Sequence, residues 1–284
     1  MLIFRESGRI GNQIFQYSAI RSMCPKNEKL VLIGFEEFQA LFNNPEANII
    51  NSNSSTIERL LYRFIYKAAN FLSKKYIFDR IYEIRFPRNF PRVEHEIGIL
   101  SHIKFIGESY FQFESAFRDE VPNQLEMNHD LINFAKAFLR EKSCSNKCIF
   151  IHIRRGDYIK WPNKKNPAVL PASYYYKCID IIKSKIHNPF FVFLSDDPHY
   201  VEDIFGGVKN SVISKFSSFQ DFALMTQCEG GILSASSFSW WGSYFASQKH
   251  SNLFFLAPKY WAGCRSKSWF PPFVKSSFLN YVDI

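Results

Sequence analysis

Short apolar runs alternate with longer stretches of helical spacing along nearly the whole chain, and this alternation limits the possible folds more than any other feature. Runs at residues 2–5, 30–33 and 102–106 read as strands in the first half. Runs at 148–153, 190–194, 211–214, 231–234 and 253–256 do so in the second. Helical spacing lies between them at 11–23, 57–72, 131–139, 174–186, 200–205, 219–227 and 239–247. Strands that alternate with helices predict parallel sheets joined by right-handed crossovers. The clearest helix places Ile57, Leu60, Leu61, Phe64, Ile65, Ala68 and Leu72 at helical intervals, with Ser55 and Glu58 as a capping box before it. The Asn/Ser-rich stretch 48–55 then reads as a loop, and the polar segment 141–147 as a joint. The expected architecture is α/β: two Rossmann-like domains facing a cleft, at residues 1–140 and 141–284.

With 284 residues, 46% of them hydrophobic and only 21% charged, the chain can bury a core in each half, and disorder is excluded. The net charge of +9 suits an anionic partner, but the basic residues are scattered, so nucleic acid is not expected. Six cysteines give no zinc-type pairing, since Cys144 and Cys148 lack a second Cys/His pair. Reduced, mostly buried thiols are the expectation, and no metal is assigned. The first residues lack the basic start and apolar stretch of a signal peptide, and the apolar runs are strand-sized. A cytoplasmic protein is expected, with peripheral contact at the inner membrane left open.

In doubly wound folds, ligands bind beyond the carboxyl ends of the strands. The unusual polar sequences sit at such ends: residues 7–13, 152–158, 195–198 and 234–241. Gly8 and Gly11, before a helix, would let an anion approach the backbone at a helix N-terminus, or simply make a tight turn. Arg154 and Arg155 end an apolar strand, where guanidinium groups are expected to meet phosphates or local carboxylates. Residues 236–239, Ser-Ser-Phe-Ser, open a helix and suit either phosphate or N-capping. Asp196 and Asp197 are adjacent, so their side chains diverge, and a turn before Pro198 is expected. Residues 155–157 spell an Arg-Gly-Asp adhesion tripeptide, but they follow a strand directly and are read as part of its end.

Four sequences, Gly-Arg-Ile-Gly-Asn-Gln-Ile-Phe-Gln-Tyr from residue 8, His-Ile-Arg-Arg-Gly-Asp-Tyr from 152, Phe-Leu-Ser-Asp-Asp from 193 and Ser-Ser-Phe-Ser-Trp-Trp from 236, resemble the α-1,2-fucosyltransferases of glycosyltransferase family 11. A weaker match, Tyr-Phe-Gln-Phe-Glu-Ser-Ala-Phe from residue 110, contains Gln112 and Glu114 on the acceptor side. The resemblance implies a fold of the GT-B kind, GDP-fucose held mainly by the C-terminal half, and no cofactor or obligatory metal. It implies inverting transfer of L-fucose to the 2-hydroxyl of a terminal β-galactoside, in bacterial surface glycan (O-antigen) synthesis, with a lipid-linked oligosaccharide as one form of acceptor.

Carried over by motif, Arg154 would contact the β-phosphate and Arg155 support it. His152 and Asp221 would lie near the guanine, with Ser237, Phe238 and Ser239 on phosphates and nucleoside, and Asp196 in the same donor set. Asn12 would sit near the transferred sugar. Asp157, Glu6 and Glu114 are the candidate bases for the acceptor hydroxyl, with Asp157 read first as orienting the arginines. A related fucosyltransferase of α-1,6 or protein O-linkage, and a non-catalytic carbohydrate-binding or adhesion protein, are the rival readings. The Ser-Phe-Ser-Trp-Trp ending argues against the first, and the intact arginine and serine motifs argue against the second.

Overall fold

The computed structural model describes all residues except 26, 44, 85–91, 144–145, 250–252, 262–266 and 268–275, so Cys144 and Cys264 lie outside the described residues. The chain divides into two compact α/β units, Met1–Asn128 and His129–Ile284.

The second unit is built on a six-stranded sheet in the spatial order Ser211–Ile213, Phe190–Ser195, Cys148–Ile153, Gly230–Ile232, Phe254–Pro258, Leu279–Val282. Every neighbouring pair is parallel. Counted from its own first strand, the order is 3-2-1-4-5-6, the doubly wound dinucleotide-fold arrangement. Cys148–Ile153 is buried at every position, as a central parallel strand covered on both faces must be. Ile149, Ile151, Phe191 and Phe193 from the sheet pack against Tyr174, Cys178 and Ile182 of the helix Ala172–Lys185. The strand order reverses between Cys148–Ile153 and Gly230–Ile232, which opens a crevice at their carboxyl ends.

The first unit carries a six-stranded sheet ordered Asn48–Ile50, Leu30–Ile33, Leu2–Arg5, Leu100–Ile106, Phe78–Ile84, Arg92–Glu96. Only the last pair is antiparallel. Three of these strands exceed the sequence expectation. Asn48–Ile50 lies in the stretch read as a loop, and Phe78–Ile84 with Arg92–Glu96 carries charged residues along both strands. The helix Thr56–Lys74 begins with the expected Ser55/Glu58 capping box. It covers the sheet with Tyr62, Ile65, Tyr66 and Ala69. The regular apolar row beside them, with Ile57, Leu60, Leu61 and Phe64, faces solvent instead.

The division between the units falls ahead of the expected joint. The helix His129–Ser143 belongs to the second unit, not the first. Phe134 and Phe138 on that helix meet the ring of Phe216 edge-on, with centroids 4.9 and 5.1 Å away, which fixes it beside the helix Ser218–Gln227. Such aromatic packing adds specific geometry to area burial. Cys24, Cys148, Cys178 and Cys228 are free and buried. Among the described residues no helix is long and apolar enough to cross a membrane.

Candidate functional site

The polar residues of the second unit converge on the crevice where its strand order reverses. Arg154 and Arg155 follow the strand Cys148–Ile153 directly. Arg154 Nη2 donates to Asp157 Oδ1 at 2.5 Å, and Nη1 lies 2.9 Å from Asp196 Oδ2. Arg155 Nε donates to Asp197 Oδ2 at 3.0 Å, and its guanidinium sits 3.5 Å from the centre of the Tyr200 ring. The two aspartates diverge as expected. Asp196 also accepts from the Arg155 amide at 2.8 Å, while Asp197 caps the helix Pro198–Phe205 through the Tyr200 amide. That cap and Arg155 hold the Asp197 carboxyl below its ordinary range.

The arginines therefore do meet local carboxylates. A guanidinium has five N–H donors in a fixed plane, and these contacts use only some of Arg154's, so they fix it at the mouth without exhausting it. A side chain at Gly156 would press on the Asp196 carboxylate, since a Cβ there would lie 2.5 Å from Asp196 Oδ2. Asp157 is largely exposed and holds Arg154.

His152, one residue from the end of the same strand, is buried, and its Nδ1 shares a 2.7 Å hydrogen bond with Ser234 Oγ across the reversal point. Burial, with Arg154 adding repulsion, pushes the imidazole down to about 3, so it is neutral. Its ring lies 5.4 Å from that of Phe238, which in turn meets Phe222 at 5.3 Å. The helix Ser237–Ser247 starts here, capped by Ser236 Oγ, which accepts from the Phe238 amide. Ser237 and Phe238 thus stand at a helix start beside the arginines' strand, a place where amide dipoles favour an anion.

Two expected donor residues are used inwardly. Ser239 is fully buried, and its hydroxyl donates to the carbonyls of Ser234 and Ser236. Asp221 is buried on the helix Ser218–Gln227, where Oδ1 accepts from Ser214 Oγ at 2.5 Å. Burial raises its carboxyl to about 7. Its neighbour Phe222 meets Phe238 of the crevice edge-on. Tyr158 is a group that sequence reasoning missed. Its hydroxyl donates to the Ala235 carbonyl at 2.8 Å, and its ring lies 5.6 Å from the Arg154 guanidinium. Its place at the end of the arginine motif was the available signal.

The first unit brings together a different set. Gly8 has φ +86°, and a Cβ there would lie 2.2 Å from Asn12 Nδ2, so only glycine serves. The expected anion seat at the next helix, Ile10–Met23, is filled from within: Glu37 accepts from the Ile10 amide at 2.6 Å and pairs with Arg9. Gly11 lies buried in the first turn of that helix. The Gly8/Gly11 segment thus makes a tight turn into a helix whose Ile10 amide Glu37 already takes. Asn12 Oδ1 accepts from Gln112 Nε2 at 2.7 Å, which joins two expected site residues that are 100 positions apart. Glu114 begins a short 3-10 turn close behind, Glu114–Ala116. Glu6 is partly buried and accepts from the Phe35 amide at 2.5 Å; burial raises its carboxyl above the ordinary range.

With that geometry in view, comparison with known proteins is informative. The profile of Glycosyl transferase family 11 matches residues 2–260. The O-antigen biosynthesis glycosyltransferase WbnK of Escherichia coli is 25% identical, over 92% of this chain and 95% of its own. The galactoside alpha-(1,2)-fucosyltransferase 2 of Rattus norvegicus is 23% identical, over 87% and 67%. An alpha-1,2-colitosyltransferase of Escherichia coli is 26% identical, over 86% and 87%. Among solved structures, POFUT1 in complex with GDP-fucose superposes with a TM-score of 0.55 at 12% identity, covering 90% of this chain and 97% of that one. The fucosyltransferase NodZ from Bradyrhizobium gives 0.51 at 13%, covering 85% and 91%. At such identities the superpositions speak for the fold.

Proposed function

This chain belongs to glycosyl transferase family 11, and from that premise we propose that it transfers L-fucose from GDP-β-L-fucose to the 2-hydroxyl of a terminal β-galactoside, with inversion, in the cytoplasmic assembly of a bacterial surface glycan. The observation that carries this reading is Arg154, held by Asp157 and Asp196 at the strand-order reversal, next to neutral His152 and the start of the helix Ser237–Ser247. Relatives named as α-1,2-fucosyltransferases and as an O-antigen glycosyltransferase support the chemistry and the setting.

In the proposed reaction the second unit holds the donor, and its nucleotide-fold strand order suits a nucleoside diphosphate. Cleavage of the sugar–phosphate bond leaves charge on the diphosphate and an oxocarbenium-like sugar. Arg154 and the amides at the start of Ser237–Ser247 meet that charge without reorganising, which is the efficient form of electrostatic catalysis. Arg155, locked against Tyr200 and Asp197, supports the same region. Neutral His152, with Nδ1 bonded to Ser234, offers Nε2 to the base or ribose, with Phe238 as an apolar wall. The first unit supplies the acceptor side through Asn12, Gln112 and Glu114.

One displacement of a β-linked donor gives an α-linked product without a protein nucleophile. A base is still useful, and Asp157, Glu6 and Glu114 are the carboxylates for the role. The arginines supply the positive charge, so transfer should persist in excess EDTA. Activity lost in EDTA and restored by manganese would overturn this mechanism. The similarity to an α-1,2-colitosyltransferase makes the sugar the first thing to test. Purified protein is given GDP-fucose or GDP-colitose with a panel of β-galactosides, and the product is read by NMR. Fucose α-linked to galactose O2 is expected; another linkage, a β product, or transfer of colitose alone would refute the proposal.

A further inference from the structure

Among the described residues the first unit carries a large apolar surface that neither sheet nor loop covers. Among the described residues fourteen large hydrophobic side chains are exposed, and nine of them fall between residues 57 and 100. Five of the nine, Ile57, Leu60, Leu61, Phe64 and Phe71, project from the helix Thr56–Lys74, with Ile57 80% and Phe64 72% exposed. At about 100° per residue these five fall within one stripe roughly 100° wide, and the sheet-facing residues Tyr62, Tyr66 and Ala69 lie on another side. Tyr76, Ile97, Ile99 and Leu100 extend the apolar surface past the helix end, where the Ile99 amide donates to the Tyr76 carbonyl.

The same helix carries a cationic flank. Arg59, Arg63 and Lys67 line a cavity of about 470 Å³ together with Arg5, at the carboxyl ends of the strands Leu2–Arg5, Leu30–Ile33 and Asn48–Ile50. The two carboxylates on that lining are already used by backbone: Glu6 accepts from the Phe35 amide and Glu36 from the Ser52 amide. Arg59 Nε is buried with no hydrogen-bond partner. Within the helix Glu58 is the lone acid, against Arg59, Arg63, Lys67 and Lys74.

We propose that the first unit seats on an anionic phospholipid surface through this helix, the apolar stripe entering the headgroup–acyl boundary and the Arg59/Arg63/Lys67 flank meeting lipid phosphates. An apolar face beside a Lys/Arg-rich one is the pattern of a helix that lies in the membrane plane. Charge decides among occupants. A second copy docked through the same face would bring two cationic flanks together, in a chain of net charge +9, and like charges oppose such a self-complementary contact. An anionic bilayer satisfies both the stripe and the flank.

The full chain is tested by flotation with phosphatidylcholine vesicles and with vesicles half phosphatidylglycerol. Binding to the anionic vesicles, weakened by 0.5 M salt, is expected. Each cation near such a surface contributes about fivefold, so Arg63→Glu with Lys67→Glu should lower partitioning by roughly 25-fold or more. Leu60→Ser with Phe64→Ser should lower it by at least tenfold, a change of two exposed side chains that leaves thermal melting intact. Equal binding to both vesicle types, or none, overturns the proposal. So does a dimer in sedimentation velocity that Phe64→Ser abolishes and anionic vesicles fail to dissociate. Transfer to a soluble galactoside should be unchanged in Leu60→Ser with Phe64→Ser, which stand outside the cavity that Glu6 lines, so this outcome is separate from that of the proposed reaction.

Discussion

Both units place a central strand at the reversal of their sheet order, Leu2–Arg5 in one and Cys148–Ile153 in the other, yet the residues that follow do opposite work. After Leu2–Arg5 the side chains of Glu6, Gln13 and Gln16 turn inward to backbone groups. Gln16, fully buried, donates to the Ser7 and Ser109 carbonyls and accepts from the Ser7 amide. Gln13 accepts from the Phe38 amide. After Cys148–Ile153 the groups are guanidinium–carboxylate pairs at the mouth. One strand end spends its polarity on fixing backbone, the other on holding charge where a ligand can reach it. Substitutions of Gln13 and Gln16 should therefore be read by stability, and those of Arg154 and Arg155 by turnover.

The sharpest break between them is Arg154→Ala. Removing one donor aimed at developing charge typically costs about 10²–10³ in rate, and the loss should appear in kcat as well as in donor binding. Arg154→Lys keeps the charge and loses the planar fork, so it should fail nearly as badly, while Arg155→Ala should be milder. Near wild-type turnover by a folded Arg154→Ala enzyme, checked by melting beside the kinetics, would remove the residue from the mechanism.

Gln16→Leu is the counterpart in the first unit. It strands the Ser7 and Ser109 carbonyls and the Ser7 amide. Each unsatisfied buried group costs about 1–3 kcal/mol, and partial access to water brings the expected loss to about 2–4 kcal/mol. A denaturant series should show the lowered midpoint, with kcat/KM of the surviving folded fraction within a few-fold. A stable Gln16→Leu protein with collapsed activity would mean that Gln16 itself serves the reaction and not only the fold.

The difference between the units also explains what was legible in the sequence. Buried parallel strands such as Cys148–Ile153 and Phe190–Ser195 are continuous apolar runs, so they stand out. Arg92–Glu96 holds one apolar residue, Val93, and pairs only at the sheet edge, so no periodicity marks it. The charged and glycine-bearing motifs told where the strand ends lay, and even that Asp196 and Asp197 would diverge. They did not tell which hydroxyls face inward: Ser237 and Ser239 look alike in sequence, but helix geometry aims the second at its own carbonyls. Nor could spacing choose a side for the helix Thr56–Lys74, because Tyr62, Tyr66 and Ala69 compete with the more regular row that solvent receives. The helix His129–Ser143 joins the second unit because Phe134 and Phe138 find Phe216, a contact across some 80 residues of chain that no local spacing marks.

A finer comparison lies within the second unit, between two buried ionisable groups pushed in opposite directions. His152 titrates at about 3 in the fold and near 6.5 unfolded. Its folded value is lowered, so stability falls as pH drops from about 6.5 towards 3. Asp221 titrates at about 7 folded and 3.8 unfolded. Its folded value is raised, so its contribution is full below about 4 and is lost as pH rises towards 7. Between pH 4 and 6.5 the two slopes oppose each other. Asp221→Asn should uncover the histidine's slope, up to about 1.4 kcal/mol per pH unit for one proton. Urea melts at pH 4.5, 5.5 and 6.5 would read it, and an unchanged profile would mean that Asp221 is ionised in the native protein.

The smallest expected effect separates two jobs for one carboxylate. Asp157 is 63% exposed and its Oδ1 is committed to Arg154 at 2.5 Å. If its task is to hold the guanidinium, Asp157→Asn keeps an oxygen that can accept from Nη2, and Asp196 still grips Nη1. Turnover should then fall less than tenfold, with the pH profile of kcat unchanged in shape. A general base typically contributes about 10²–10⁴, and an amide cannot take the proton of the acceptor hydroxyl. A larger fall, with loss of the acid limb of the profile, would therefore make Asp157 the base and leave Asp196 alone to orient Arg154. Asp196→Asn completes the comparison: it weakens the Nη1 contact and the Arg155 amide bond together. If orientation is what both aspartates provide, the Asp196→Asn loss should exceed the Asp157→Asn loss, and the double variant should approach Arg154→Lys.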